Sequence, residues 1–189
     1  MQLWHPLHLI PSGLTDWLVL GLLVALILGL APKTNQRSLK TSGKAPCGIV
    51  SLALAGNEQK ASAIIASWEK GEVNDALSSL YWDNFFLMAY STAIALGCVM
   101  AADKLHAPGT LEYNLAILLA WAQWLAALLD RTENFALEKM LRGAVKSPWP
   151  QIARWCAIPK FIIVFAGLGY VAIAVIIWLV ALLKTYLFK

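Results

Sequence analysis

Apolar residues fall into four long runs separated by polar stretches. Phe161 to Leu183 has 23 residues without a charge, and Phe85 to Ala102 has 18. Tyr113 to Leu129 has 17, with the amides Asn114 and Gln123 inside it, and Trp17 to Ala31 has 15 that are almost pure Leu, Val, Ile, Ala and Gly. A bilayer-spanning helix needs about 20 mostly apolar residues, with about 17 as a lower limit. The shortest run reaches that length by extending outward through Leu14, with Asp16 at the headgroups. The pattern predicts an all-α polytopic membrane protein, a four-transmembrane-helix bundle in a single membrane domain over 1–189. Its expected spans are about 14–31, 82–102, 113–130 and 161–183. The first run reads as an uncleaved anchor rather than a signal peptide, because residues 1–31 hold no Lys or Arg and Pro32 follows the one candidate cleavage position.

Between the first two runs lies a segment, 32–81, of different character. Pro32 to Cys47 is rich in Lys, Ser, Thr, Gly and Pro and reads as a flexible loop. Gly48 to Gly56 is apolar but too short to span. Residues 57–70 predict an amphipathic helix. Asn57 is placed to cap it, Ala61, Ile64, Ile65 and Trp68 share one face, and Gly71 is a fitting stop. That helix either lies in the membrane interface or packs against the ends of the bundle. Asn74 or Asp75 is the expected start of the next helix. No Gly or Pro interrupts Leu111 to Arg142, so roughly 45 Å of helix, ending at Gly143, projects past the hydrocarbon. Residues 143–160 hold Pro148, Pro150 and Pro159 and read as a Trp-rich interfacial connector.

The charge pattern orients these elements. The chain is 59% apolar and only 14% charged, where a soluble domain is roughly a quarter charged. The two loops after the first and third runs hold 12 of the 15 Lys and Arg, against Lys104, Lys184 and Lys189 on the other side. The positive-inside rule then places both loops in the cytoplasm and both termini outside, in a cell (inner) membrane. The pI near 9.0 is thereby a topology signal, and no element carries the basic stripe of a nucleic-acid binder. Trp17, Trp82, Trp149, Trp155, Trp178 and Tyr186 fall at the run ends, as an aromatic belt requires.

The candidate chemistry sits at the cytoplasmic ends of the second and third runs. Asp83 and Tyr90 are seven apart on one helix face. Gln123, Asp130, Glu133, Asn134 and Leu137 share a face of the antiparallel neighbour. If the faces meet, three carboxylates converge, which is stable only with a cation, a base or a shared proton. Arg131 and Lys139 are the nearest basic residues in sequence, and oxygen ligands of this kind suit a divalent cation such as Mg²⁺, Ca²⁺ or Mn²⁺. Asp83, Tyr90, Gln123, Asp130, Glu133 and Asn134 are therefore the candidate ligand- or ion-binding residues. The competing reading is that they sit at headgroup depth or fix helix packing.

On the outer side, His5, His8 and His106 are candidates for a transition metal, although Pro6 keeps the first two off a regular helix. Cys47 and Cys156 are expected in the cytoplasm and Cys98 in the membrane, all as thiols. Every His lies across the membrane from the cytoplasmic thiols. No Ser-His-Asp set, phosphate loop, Cys-x-x-Cys or His-Glu-x-x-His occurs either, so no catalytic residue is assigned.

The run Ser51 to Gly56, then Ile64, Ile65 and Trp68, then Leu80 to Asp83 with Phe86 and Tyr90, then Asp130-x-x-Glu133-Asn134-x-x-Leu137, resembles a family of uncharacterised bacterial four-span integral membrane proteins. The likeness covers roughly residues 48 to 140, and Lys160 matches a Lys at the start of the family's last span. It implies a four-span membrane protein and names no activity. Family members tend to carry an acid where this chain has Ala53, so a site built from that acid is incomplete here. The expected function is a structural, accessory or partner-binding role in the bilayer, within a larger membrane complex or a homo-oligomer. A small transporter or cation-binding protein using Asp83, Asp130 and Glu133 is the alternative, and because four spans rarely enclose a pathway alone it requires oligomerisation. A lipid-acting enzyme is a further alternative that lacks a nucleophile.

Overall fold

The computed structural model describes residues 3–4 and 43–187. The expected first span at 14–31 lies outside the described residues. Among those described there is no strand, and five helices follow one another: α1 (Ile49–Ala53), α2 (Glu58–Ile65), α3 (Lys70–Leu105), α4 (Leu111–Leu141) and α5 (Trp149–Leu187). Three segments of them are long and apolar enough to cross a membrane: Phe86–Leu105, Leu111–Leu141 and Trp149–Tyr186.

The helix ends follow from local chemistry. Asn57 caps α2, its Oδ1 accepting from the Lys60 amide at 2.9 Å. Asn57→Ala is expected to lower stability by about 1 kcal/mol, which equilibrium unfolding in detergent will measure. Contrary to the expected 57–70, α2 stops at Ile65. The Ser67 hydroxyl bonds the Ile64 carbonyl, and a reciprocal capping box between Glu69 and Glu72 starts a new helix at Lys70. Gly71 therefore lies inside α3 instead of ending α2, and α3 begins before Asn74 and Asp75 because the box satisfies amides that a later start leaves exposed. The Thr110 hydroxyl caps α4, accepting from the Tyr113 amide. At the other end Gly143, at φ 101°, closes α4 with a Schellman turn: the Ala144 amide reaches the Lys139 carbonyl and the Gly143 amide that of Met140.

The expected connector at 143–160 is shorter than its prolines predict. α5 starts at Trp149, with Pro150 in the first turn, where a missing N–H matters little, and Pro159 inside the helix. Trp149 packs edge-on against Phe135, 5.7 Å between ring centroids.

Packing divides the molecule into two cores. A knob at one end gathers Leu52, Ala61, Ile64, Trp68, Leu80, Leu137, Met140 and Ala153 from all five helices. The α2 face thus packs against the bundle ends, the second of its two expected placements. Toward the far end a second core joins Ile94, Ala95, Cys98, Val99, Tyr113, Ala116, Ile117 and Ala120, with Val164 and Val171 of α5 against it. Small residues let the helices close in, as helix association in lipid requires. A Cβ on Gly97 meets Val171 Cγ2 at 3.0 Å, and one on Gly167 meets Gln123 Nε2 at 2.5 Å and Ile94 Cγ2 at 2.7 Å.

Candidate functional site: a buried ion set between two cores

The candidate residues fall between the two cores on each of the three long helices. On α3 they lie between Leu80 and Ile94, on α4 between Ala120 and Leu137, and on α5 between Ala157 and Val164. This is where each uncharged run begins or ends, so the set marks the boundary between the apolar bundle and the knob.

At its centre is Lys160. Its ammonium hydrogen-bonds Asp130 Oδ1 at 2.9 Å and lies 2.5 Å from Glu133 Oε2. Lys160 is 7% exposed, and Asp130 and Glu133 are each 4% exposed, so the ion set is shut off from solvent. The Tyr90 hydroxyl of α3 donates to the other Asp130 oxygen, Oδ2, at 2.7 Å. Asp130 thus ties α3 and α5 to α4 with its two oxygens. One turn toward the knob, Asn134 Nδ2 donates to Asp83 Oδ2 at 3.0 Å, a second link between α4 and α3. Phe161 lies beneath the ammonium, 4.7 Å from Nζ to ring centroid.

The two faces expected to meet do meet, but the cation differs from the one expected. Arg131 points away and donates to Asn84 Oδ1 at 3.2 Å, while Lys139 lies over the Phe135 ring. Neither reaches the carboxylates, because both are on the outward side of α4, and the base that does reach them comes from α5. Sequence spacing along one helix cannot report a base on a neighbour. The available signal was depth: Lys160 immediately precedes the 161–183 run, opposite the end of the 113–129 run on an antiparallel partner.

Gln123 stands apart from the ion set. It is fully buried, and its Nε2 donates to the carbonyls of Ile163 on α5, at 3.0 Å, and Leu119, at 3.3 Å. Its role is to join α4 to α5 deeper in the bundle. On the knob surface, Arg142 Nε donates to Glu138 at 2.9 Å and its Nη2 to the Tyr81 hydroxyl at 2.8 Å. The Glu138 bond, then that of Tyr81, holds the Arg142 guanidinium above its ordinary pKa.

Divalent-ion chemistry finds a different arrangement from the one expected. The place between Asp130 and Glu133 is taken by the ammonium, and Asp83 faces an amide. Among the described residues no group of three or more His, Cys, Asp or Glu side chains is placed to hold a metal. His106 stacks on Tyr170 with 6.4 Å between centroids, and His5 and His8 lie outside the described residues. The thiols of Cys47, Cys98 and Cys156 are free, with Cys98 buried. No protein-family model, no curated protein and no solved structure matches the chain.

Proposed function

We propose that this chain is a four-span protein of a bacterial inner membrane, with both termini outside, that serves a structural or accessory role. In this reading the cytoplasmic knob is the part that meets a partner. The observation that carries it is the way the ion set closes on itself. Lys160 answers both Asp130 and Glu133, Tyr90 takes the remaining Asp130 oxygen, and Asn134 takes Asp83. Such a set fastens three helices at the foot of the bundle and holds the knob in a fixed pose, which is what a docking subunit needs.

The fourth span is supported by where the described residues flank the gap. The Leu3 amide bonds Asn114 Oδ1, and the Trp4 carbonyl accepts from Trp121 Nε1, toward the far end of α4. Ala45 is buried in the knob with Leu137 and Met140. Residues 121 and 140 of α4 are about 29 Å apart along its axis, close to the roughly 30 Å of a hydrocarbon core. The chain between must cross that distance, and Trp17 to Ala31 is the apolar run within it.

The test is thiol labelling with a membrane-impermeant maleimide in whole cells. A chain whose one cysteine is the exposed Cys47 is expected to stay unlabelled until the membrane is opened, whereas one whose one cysteine is Gln2→Cys labels at once. Labelling of Cys47 from outside overturns the orientation, and equal access at both positions overturns the fourth span.

A further inference from the structure

Two exposed cations on the outward side of α4 face no carboxylate. Arg131 donates from Nη1 to the neutral Asn84 Oδ1 of α3 at 3.2 Å, and the Lys139 ammonium lies 5.2 Å from the centroid of the Phe135 ring. Among the described residues the ion pairs are those of Arg142 with Glu138 and of Lys160 with Asp130 and Glu133. A guanidinium has five N–H donors, so the single bond to Asn84 leaves Arg131 free to hold an anion as well.

The depth of this pair is defined by its neighbours. Asn84 precedes the uncharged run 85–102 by one residue, and Arg131 follows the run 113–129 by two. Their bond therefore sits where the apolar length of the bundle ends. One turn into that length, each helix presents an exposed apolar side chain. Met88 of α3 is 59% exposed and Leu128 of α4 is 67% exposed. Because the two helices are antiparallel, both lie on the same side of the Arg131–Asn84 bond. On the other side, exposed Phe135 and then Lys139 follow Arg131 by one and two turns, about 12 Å along the axis. Since the Lys139 ammonium lies over Phe135, it reaches back toward Arg131.

We propose that this face binds an anionic phospholipid, with its phosphate on Arg131, Lys139 adding attraction to the headgroup, and an acyl chain along Met88 and Leu128. The guanidinium matches two phosphate oxygens at once and is weakly hydrated, which suits it to the membrane surface. Basic residues beside spans attract anionic headgroups in this way. The occupant has to be anionic at Arg131 and apolar at Met88 and Leu128, and a phospholipid is both in one molecule. An acidic partner protein meets the first requirement but not the second. The proposal rests on α3 and α4 crossing the bilayer, and not on the docking role of the knob.

The test uses the full chain purified from the membrane fraction in neutral detergent. Phosphatidylglycerol or phosphatidylcholine with the same acyl chains is titrated in, and bound lipid is counted by native mass spectrometry. The chain is expected to prefer phosphatidylglycerol. Arg131→Gln should lower that affinity about fivefold and Lys139→Gln by a smaller factor, with phosphatidylcholine binding unchanged in both. Arg131→Lys should retain part of the preference, and Arg142→Gln, whose cation is already paired, should retain all of it. Equal affinity for the two lipids overturns the proposal and leaves an acidic partner as the source of the counter-charge. An equal loss in Arg142→Gln overturns it in favour of diffuse charge attraction. Inorganic phosphate that binds with the same dependence on Arg131, and as tightly as the lipid, overturns it in favour of a free-anion site. Absence of the chain from the membrane fraction overturns the bilayer reading as well, whereas the other failures leave that reading standing.

Discussion

Lys160→Met is expected to lower stability by about 3–5 kcal/mol, the cost of removing one partner from a buried ion pair. Methionine keeps the length and most of the volume of the lysine, so the loss reports charge rather than a cavity. Asp130 and Glu133 are left facing each other inside the bundle with no base among the described residues within reach, since Arg131 and Lys139 are held elsewhere. The reference is equilibrium unfolding of the purified chain in detergent. The decisive variant is the triple change Lys160→Met, Asp130→Asn and Glu133→Gln, which removes the charges together. Removing the carboxylate charges together with the ammonium leaves no uncompensated buried charge, although the new amides still need hydrogen-bond partners, so the triple variant should recover part of the single variant's loss. A Lys160→Met chain within about 0.5 kcal/mol of the parent, as for an ordinary surface change, sinks the picture of a clasp.

How far the sequence reached is clearest from what this prediction needed. The uncharged runs at 85–102, 113–129 and 161–183 announce three of the long helices, because charge is excluded from hydrocarbon and the exclusion is written residue by residue. The Asn57 cap and the Gly143 stop were legible for the same reason, each being a local bond or a local φ. The meeting of Tyr90 with Asp130, and of Asp83 with Asn134, follows from two helical faces and one antiparallel turn. What did not show is anything decided by a third element. Lys160 belongs to the site only because α5 runs back beside α4, and Pro159 beside it suggests a loop where tertiary packing sustains a helix. Glu69 and Glu72 look like solvated charges until their reciprocal bonds fix where α3 begins.

Gly167 and Gly169 make the second large prediction, and they separate packing from propensity because they stand two residues apart on one helix. A Cβ at Gly167 comes within 2.5 Å of Gln123 Nε2 and 2.7 Å of Ile94 Cγ2, whereas one at Gly169 meets nothing within 4 Å. The Gln123 amide cannot swing aside freely, because it is fixed to the Ile163 and Leu119 carbonyls. Valine is the informative substitution, since its helix propensity differs from that of glycine by only a few tenths of a kcal/mol. Gly167→Val is expected to lower stability by about 3 kcal/mol through overpacking, and Gly169→Val to change it by less than about 0.5 kcal/mol. Adding Gln123→Ala to Gly167→Val opens one of the two clashes, so the pair should lose less than the sum of its parts, by about 1 kcal/mol. Strict additivity, or equal effects at Gly167 and Gly169, shows that α5 does not approach Gln123 this closely. In that case the registration of α5 that brings Lys160 to Asp130 loses its nearest support, since Ile163 and Gly167 follow Lys160 by one and two turns on the same side of α5.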